Sequence, residues 1–409
     1  MSGRNEHVAV IGGGQAAAAL AARLRAGGFE GRITIFGEEP VPPYQRPPLS
    51  KKYLLGEVGV DRLLLKPESF YAEQDITLCT GLRVDEIDPA AGTLSAGGER
   101  IGWDRLALVT GGVPRRLPEA IGGALPGVHV MRTLADADAL APELRPGRRL
   151  VVVGGGYIGL EAAAVAAQRG LRVTVLEAAP RILARVASAE TAAEIRALHA
   201  AHGVEIREGV SLERLEPGDD GRVARALLAG GEAIGADLVI VGIGIRPADE
   251  LARAAGIACD NGIAADARGR TSAPGVWAAG DCASFPWRGR RIRLESVQNA
   301  IDMAEAVADD MLGRGRDYDP VPWFWSDQYD AKLQIAGLAL DHDRVVRRPG
   351  TRPGSVSLWY YAGPRLVAVD AINAPREYMT AKRLLEAGRS PDPAAIADPA
   401  TDLRALLAG

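Results

Sequence analysis

The chain has 409 residues, 47% of them hydrophobic and 24% charged, an ordinary globular composition that is long enough for two or three domains. Its 48 basic and 52 acidic residues give a net charge of −4, which favours neither nucleic acid nor a membrane as a partner. The three cysteines cannot form a disulfide framework, and no apolar run approaches the roughly 20 residues that span a bilayer. The first predicted strand begins by Val8, which leaves no room for a signal peptide. We therefore expect a cytoplasmic protein.

Apolar runs alternate with helical patterns through residues 1–320, which predicts an α/β fold with parallel sheets. The candidate buried strands are HVAVIG, RITIFG, RLALVTGG, RLVVVGGG, LRVTVLE, ADLVIVGIG and GVWAAGD. Two alanine-rich helices, each ending at glycine, are predicted in GQAAAALAARLRAGG and GYIGLEAAAVAAQRG. From Pro320 onwards alternating strand patterns with aromatic residues follow one another, which predicts an α+β domain with an antiparallel sheet.

A glycine turn joins the first predicted strand to the first predicted helix. Its G-x-G-x-x-A pattern consists of Gly12, Gly14 and Ala17. Glycine suits this turn because a Cβ atom would block it and would keep backbone N–H groups from a pyrophosphate. The helix N-terminus adds unpaired N–H groups and a partial positive charge. Glu38 follows the next strand, where its carboxylate is expected to accept hydrogen bonds from a ribose diol.

A second strand, turn and helix repeat this arrangement later in the chain. Here all three positions are glycine, namely Gly154, Gly156 and Gly159. Glu177 ends the following strand, and a carboxylate there pairs with the ribose 2′-hydroxyl of NADH and repels the 2′-phosphate of NADPH. Arg181 and Arg185 lie nearby and keep NADPH open as an alternative. One such turn is weak evidence, but two in the same context predict two Rossmann-like domains that bind two dinucleotides.

Five motifs together resemble the FAD-dependent ferredoxin reductases that serve bacterial cytochromes P450 and Rieske-type oxygenases. They are YQRPPLSKKYL at Tyr44–Leu54, ALVTGG at Ala107–Gly112, GVWAAGDCA at Gly275–Ala283, ESVQNA at Glu295–Ala300 and PWFWSDQY at Pro322–Tyr329. Each motif alone is modest, but the similarity extends over nearly the whole chain. The resemblance implies a fold like that of glutathione reductase. It predicts an FAD domain at residues 1–112 and 245–320, an NAD domain at 113–244 and a C-terminal α+β interface domain at 321–409.

The resemblance also implies which residues bind FAD. The first glycine turn and Glu38 would hold its adenosine diphosphate. Asp281, at the end of a strand and before a helix, would accept a hydrogen bond from a ribityl hydroxyl, although a helix cap is the structural alternative. Four further positions match residues that contact FAD in relatives, namely Lys51, Val84, Arg132 and Val297. Core packing is the alternative for the two valines, and an ordinary surface position is the alternative for Arg132.

Three residues are expected, by the same resemblance, to act next to the flavin. In relatives the lysine of PLSK and the glutamate of GYIGLE, here Lys51 and Glu161, meet beside the reactive edge of the ring. The lysine cation would stabilise negative charge on the reduced ring, and the glutamate would hold the cation in place. A structural salt bridge is the alternative. Trp325 matches a tryptophan near the flavin and the ferredoxin-docking face, whereas Trp323 is expected in the core.

The cysteines exclude two other routes for electrons. Disulfide reductases carry a cysteine pair soon after the first glycine turn, and none occurs there. The chain also lacks four cysteines for an iron–sulfur cluster of its own, and no metal site is predicted. Electrons are therefore expected to pass from NADH to FAD and on to an external [2Fe–2S] ferredoxin that feeds a P450 or a Rieske-type oxygenase. The alternatives are a flavoprotein redox sensor that binds NADH, a rubredoxin reductase and an NADH oxidase.

A run of arginines provides a candidate docking surface for the ferredoxin. Arg288, Arg290, Arg291 and Arg293 lie within six residues in PWRGRRIRLESV. Such a basic patch would attract the acidic surface typical of these ferredoxins, and a solvated hairpin is the alternative. Glu305 stands where a relative carries a docking arginine, which argues for a different distribution of charge.

Overall fold

The computed structural model describes residues 5–408, which separate into two compact units. The first unit contains residues 5–46, 59–113 and 245–320. The second unit contains residues 47–58, 114–244 and 321–408. Every helix among the described residues is too short or too polar to cross a membrane.

The first unit is built on a parallel sheet of five strands. Its order is Val276–Ala278, Arg105–Leu108, His7–Ile11, Arg32–Phe36 and Ile76–Cys79. The inner strands are almost wholly apolar and buried because helices cover parallel sheets on both faces. The helices of this unit are Gln15–Ala26, Glu68–Glu73, Glu250–Ala254 and Val297–Met311. Smaller sheets are formed by Val84–Asp88, Thr93–Ala96 and Glu99–Gly102, and by Ile263–Ala264, Ala283–Trp287 and Arg290–Ile292.

The second unit contains another five-stranded parallel sheet. Its order is Glu205–Glu208, Arg172–Glu177, Arg149–Val153, Leu238–Val241 and Val128–His129. The helices Leu134–Leu140, Tyr157–Gln168 and Ala189–Ala201 follow in the same part of the chain. A three-stranded antiparallel sheet is formed by Leu212–Pro217, Val223–Leu228 and Ala233–Gly235. The two sheets share one core of branched aliphatic side chains.

The C-terminal part of the second unit is an antiparallel sheet of five strands. Its order is Trp323–Gln328, Ala331–Gly337, Arg365–Ile372, Val356–Ala362 and Arg344–Pro349. Strand Val356–Ala362 is buried on both faces, and helix Pro375–Glu386 packs against one of them. The short helices Pro393–Ala397 and Ala405–Ala408 complete the described chain.

A buried arginine holds the segment that follows helix Pro393–Ala397. Arg348 is 5% exposed, and its guanidinium donates to four backbone carbonyl groups. They belong to Ile396 at 3.0 Å, Asp398 at 2.6 Å, Pro399 at 3.1 Å and Thr401 at 2.9 Å. The planar fork of N–H donors therefore satisfies carbonyl groups that no regular element pairs.

Candidate cofactor sites and redox residues

The first glycine turn leaves an open space at the N-terminus of helix Gln15–Ala26. Gly12 has a φ of +124°, and a Cβ atom there would lie 2.2 Å from the carbonyl oxygen of Val109. At Gly14, which has no side chain to cap the helix, an added Cβ atom would meet no described atom within 4 Å. Ala17 is fully buried in the first turns of the helix. Backbone N–H groups therefore face a space that a side chain would fill, and this fits a pyrophosphate.

Glu38 lies two residues beyond the end of strand Arg32–Phe36. Its side chain is 69% exposed, and its Oε1 atom lies 3.1 Å from Nη1 of Arg83. Such an exposed ion pair contributes at most about 1 kcal/mol, so a ribose diol can compete for the carboxylate.

Asp281 lies in a single 3₁₀ turn, Gly280–Cys282, after strand Val276–Ala278. A Cβ atom on Gly280 would lie 3.4 Å from Cβ of Ala16, so the turn packs closely on the first helix. The expectation that Asp281 precedes a helix is wrong, because strand Ala283–Trp287 begins directly after the turn. Pro286 disfavours a helix there, and the strand pairs with Ile263–Ala264 on one side and with Arg290–Ile292 on the other.

The other predicted FAD contacts are distributed over both units. In the first unit, Val84 is buried in strand Val84–Asp88, and Val297 begins helix Val297–Met311 after the capping hydroxyl of Ser296. Lys51 and Arg132 belong to the second unit. The backbone N–H of Arg132 donates to Oδ2 of Asp136 at 3.1 Å, just before helix Leu134–Leu140.

The second glycine turn packs against the backbone at two of its three glycines. A Cβ atom on Gly154 would lie 2.4 Å from the carbonyl oxygen of Gly242, and one on Gly159 would lie 2.2 Å from the carbonyl oxygen of Gly154. Only glycine fits at Gly159, whereas alanine occupies the matching position of the first turn. Gly156 precedes helix Tyr157–Gln168, provides no side-chain cap and has an open side, as Gly14 does. This helix N-terminus also fits a pyrophosphate.

Glu177 is the last residue of strand Arg172–Glu177, and its carboxylate is anchored to the backbone. Oε2 accepts from the N–H of Gly155, and Oε1 accepts from the N–H of Ala179, each at 2.7 Å. Arg181 is engaged elsewhere, because its guanidinium donates to backbone carbonyl groups, most closely to that of Ala187 at 2.7 Å. Arg185 is exposed. A carboxylate held at the glycine turn favours a ribose diol over a phosphate.

Lys51 and Glu161 form a buried ion pair within the second unit. Nζ of Lys51 lies 2.8 Å from Oε2 of Glu161, whose side chain is 5% exposed. The same Oε2 accepts from the hydroxyl of Ser50, and Oε1 accepts from the hydroxyl of Ser326, each at 2.7 Å. Sequence reasoning identified the pair but missed both serines. The signal in the sequence was a glutamate within an alanine-rich helix. Such a helix is expected to be buried, and a buried carboxylate requires several hydrogen-bond donors.

Trp325 lies on the opposite face of its strand from the residues that contact Glu161. Trp323 and Trp325 are two positions apart, and their ring centroids are 5.6 Å apart. Nζ of Lys382 lies 5.2 Å from the centroid of Trp323. Ser326 points to the other face, since neighbouring side chains of a strand alternate. Trp323 packs at the edge of the C-terminal core and is only partly buried.

The cysteines within residues 5–408 are all free thiols. Cys79 and Cys259 are partly exposed, and Cys282 is buried. Burial raises the pKa of each of the three thiols, which disfavours the reactive thiolate. Across the same residues, no group of three or more His, Cys, Asp or Glu side chains is arranged to hold a metal ion.

The arginine run folds as a hairpin, and two of its arginines, Arg291 and Arg293, contact neighbouring groups closely. Arg291 donates to the carbonyl groups of Ser284 and Ala265 at 2.7 and 3.0 Å. Arg293 lies 2.6 Å from a carboxylate oxygen of Glu295, and its side chain is only 10% exposed. Arg288, Arg290 and Arg291 are exposed at and beside the hairpin turn, and Nε of Arg288 lies 3.8 Å from a carboxylate oxygen of Asp319.

Comparison with known proteins agrees with this arrangement. Residues 6–304 match the family described as pyridine nucleotide-disulphide oxidoreductase, and residues 323–407 match the reductase C-terminal domain. A ferredoxin–NAD(P)(+) reductase of a Sphingomonas species is 44% identical over 95% of this chain and 94% of its own. The chain belongs to the ferredoxin reductase family.

Other members of the ferredoxin reductase family match over nearly their whole length. Putidaredoxin reductase of Pseudomonas putida is 38% identical, with coverage of 99% of this chain and 97% of its own. The solved structure of a covalent putidaredoxin reductase–putidaredoxin complex matches with a TM-score of 0.95 and 38% identity over 99% of both chains. The resemblance and the α/β fold class with its C-terminal α+β region are therefore confirmed.

Proposed function

We propose that this protein is a flavoprotein reductase that passes electrons from NADH through FAD to a [2Fe–2S] ferredoxin. That ferredoxin supplies a cytochrome P450 or a Rieske-type oxygenase. The observation that carries the proposal is the pair of open glycine turns, one in each unit, in a member of the ferredoxin reductase family. Two dinucleotides in one chain suit a hydride donor and a flavin acceptor.

We assign the FAD domain to residues 1–112 and 245–320, the NAD domain to 113–244 and an interface domain to 321–409. In the FAD domain the glycine turn supplies N–H groups to the pyrophosphate, Glu38 accepts from the adenosine ribose and Asp281 accepts from a ribityl hydroxyl. The further FAD contacts are Lys51, Val84, Arg132 and Val297. The close packing of Gly280 on the first helix supports the role of Asp281.

The NAD domain uses its own glycine turn and Glu177. Because both carboxylate oxygens accept backbone N–H groups at 2.7 Å, the charge of Glu177 stays where a ribose diol would lie. The carbonyl partners of Arg181 keep that guanidinium from a 2′-phosphate. We therefore propose a preference for NADH over NADPH.

Lys51, Glu161 and Trp325 are proposed to act at the flavin and at the exit of its electrons. Bound FAD would supply two-electron acceptance from NADH and one-electron release to the ferredoxin. Lys51 places a cation there, and Glu161 holds this cation at 2.8 Å. Trp325, on the other face of its strand, is proposed to lie on the electron route or the docking face.

A panel of [2Fe–2S] ferredoxins, with a rubredoxin as the alternative acceptor, tests the proposal. Each acceptor is added to the FAD-loaded protein with NADH. The rate of electron transfer is then measured as the rate at which cytochrome c is reduced. Turnover that depends on one of the ferredoxins is expected. Faster turnover with rubredoxin would identify a rubredoxin reductase. A long-lived flavin–NAD complex with slow turnover on every acceptor would identify a redox sensor.

The three free thiols also support a reducing compartment, and we propose the cytoplasm. Cell fractionation followed by immunoblotting is expected to find the protein with cytoplasmic markers, and enrichment in an extracellular or periplasmic fraction would contradict this location.

A further inference from the structure

A chain of buried hydrogen bonds ends at Glu161. Nε2 of His199 lies 2.7 Å from Oε1 of Gln328, and Nε2 of Gln328 lies 3.1 Å from Oγ of Ser326. Oγ of Ser326 then lies 2.7 Å from Oε1 of Glu161. All four residues are buried, and all four belong to the second unit. The chain thus connects helix Ala189–Ala201 with the Lys51–Glu161 ion pair.

The direction of every bond in the chain follows from its carboxylate end. The carboxylate of Glu161 only accepts, so the single hydroxyl hydrogen of Ser326 points to Glu161. Ser326 must then accept from the amide N–H of Gln328, whose carbonyl oxygen faces His199. His199 therefore carries its hydrogen on Nε2. Burial lowers the pKa of His199, which agrees with a neutral ring.

The two oxygens of the Glu161 carboxylate have different partners. Ser326 donates to Oε1, whereas Ser50 and Lys51 both contact Oε2. Without Ser326, Oε1 would lack a donor in a buried place, and Lys51 would be free to shift towards it. The hydroxyl of Ser326 thus keeps Nζ of Lys51 on one side of the carboxylate.

We propose that Ser326 and Gln328 are positioning residues that fix the Glu161 carboxylate and, through it, the place of the Lys51 cation. His199 supports them by fixing the orientation of the Gln328 amide. This inference rests on the role proposed above for Lys51 beside the flavin. An amide is required in the middle of this hydrogen-bond chain, because its oxygen accepts from His199 and its N–H group donates to Ser326. Glutamate has the same shape as Gln328 but no N–H group for Ser326.

Two variants remove the final bonds of the chain in different ways. Ser326→Ala deletes the donor to Glu161, and Gln328→Glu keeps the size of the side chain but leaves Ser326 between two carboxylates. Lys51→Met removes the cation, and Ser326→Ala/Lys51→Met completes a double-mutant cycle. Ser357→Ala is the matched control, because Ser357 is also fully buried in the C-terminal sheet and accepts from Nε1 of Trp359 at 2.9 Å.

Two properties of the FAD-loaded proteins are measured, with FAD content and thermal unfolding recorded beside them. They are the midpoint potential of the bound FAD, found with a reference dye, and the anaerobic rate at which NADH bleaches it. Ser326→Ala and Gln328→Glu are expected to slow bleaching by roughly tenfold and to shift the potential in the direction that Lys51→Met shifts it. In the Lys51→Met background, Ser326→Ala is expected to change neither property further. Ser357→Ala is expected to lower the unfolding temperature only.

The outcomes separate this inference from the proposed function. The inference is overturned if Lys51→Met changes the potential and the bleaching rate but Ser326→Ala changes neither. It is also overturned if the effects of the two substitutions are additive in the double variant. Equal effects of Ser357→Ala and Ser326→Ala would also overturn it, since loss of buried packing would then explain both. If Lys51→Met behaves as wild type, the role of Lys51 and this inference fall together. If NADH does not bleach the wild-type protein, the proposed function falls, and the potentials still test the inference.

Discussion

Asp370 is expected to make the protein less stable as pH rises through the weakly acidic range. Its carboxylate lies in strand Arg365–Ile372, where Oδ2 accepts from the hydroxyls of Thr191 and Tyr360, each at 2.6 Å. Burial raises the pKa of Asp370 from 3.8 to about 6, although the two hydroxyls and His342 partly oppose this. The folded state therefore disfavours the ionised form.

The magnitude follows from the difference between the folded and unfolded pKa values. The pKa of Asp370 changes from 3.8 to about 6 on folding, which corresponds to about 3 kcal/mol of free energy of unfolding. Since the folded pKa is the higher one, this free energy is lost as pH rises from about 4 to about 6 and stays lost above. Asp370→Asn is neutral at every pH and keeps an acceptor oxygen for both hydroxyls. The variant should gain about 3 kcal/mol relative to wild type between about pH 4 and pH 7.

Urea unfolding of both proteins across this pH range measures the difference. Other titrating groups contribute equally to the two proteins, so only the difference between the curves matters. The cost of burying the asparagine N–H₂ group shifts the whole difference without changing its slope. A difference that is independent of pH would show that Asp370 does not titrate in this way.

Four further predictions concern the cofactor sites and the docking surface. Asp281→Ala should weaken FAD retention by about 1.5–3 kcal/mol, the worth of a charge-assisted hydrogen bond, and full FAD content after ultrafiltration would contradict this. Glu177→Ala should narrow the preference for NADH, measured as the ratio of kcat/KM values; a wild-type protein that uses NADPH equally well would refute the assignment. Reversing charge at Arg288 and Arg290 should raise the KM for ferredoxin and flatten its salt dependence, whereas bleaching by NADH should change little; identical salt profiles would leave the patch without a role. Gly159→Ala should lower stability by about 1–3 kcal/mol because its Cβ meets a backbone oxygen at 2.2 Å; melting curves like those of wild type would argue against this clash.

The glycine turns could be predicted from sequence because each signal is local. The strand, the turn and the helix that contains Ala17 follow one another directly, and glycine is required by the backbone itself. The partners of Glu161 could not be predicted in this way. Ser50 is 111 positions from Glu161 and Ser326 is 165 positions away, and many hydroxyls in the chain look equivalent in sequence. Their selection depends on how the sheet and the helix pack.

Two other differences have equally specific causes. In sequence the turn at Asp281 looks like the start of a helix, but Pro286 disfavours one, and residues 283–287 pair with two neighbouring strands. In the arginine run, the sequence shows four positive charges but not which groups those side chains contact. Arg291 and Arg293 are engaged by backbone carbonyl groups and a carboxylate, respectively, which only the folded chain reveals.

The carbonyl groups around Arg348 have a consequence for any shortened form of this protein. A chain that stopped before Ile396 would keep the guanidinium in its buried place but would remove all four of its acceptors. Either water would then have to enter the C-terminal sheet to solvate the cation, or the side chain would have to leave the core. Both events disturb strand Arg344–Pro349. Residues 396–401 therefore look peripheral, but their carbonyl groups stabilise a cation buried in the C-terminal sheet, and the sheet depends on them.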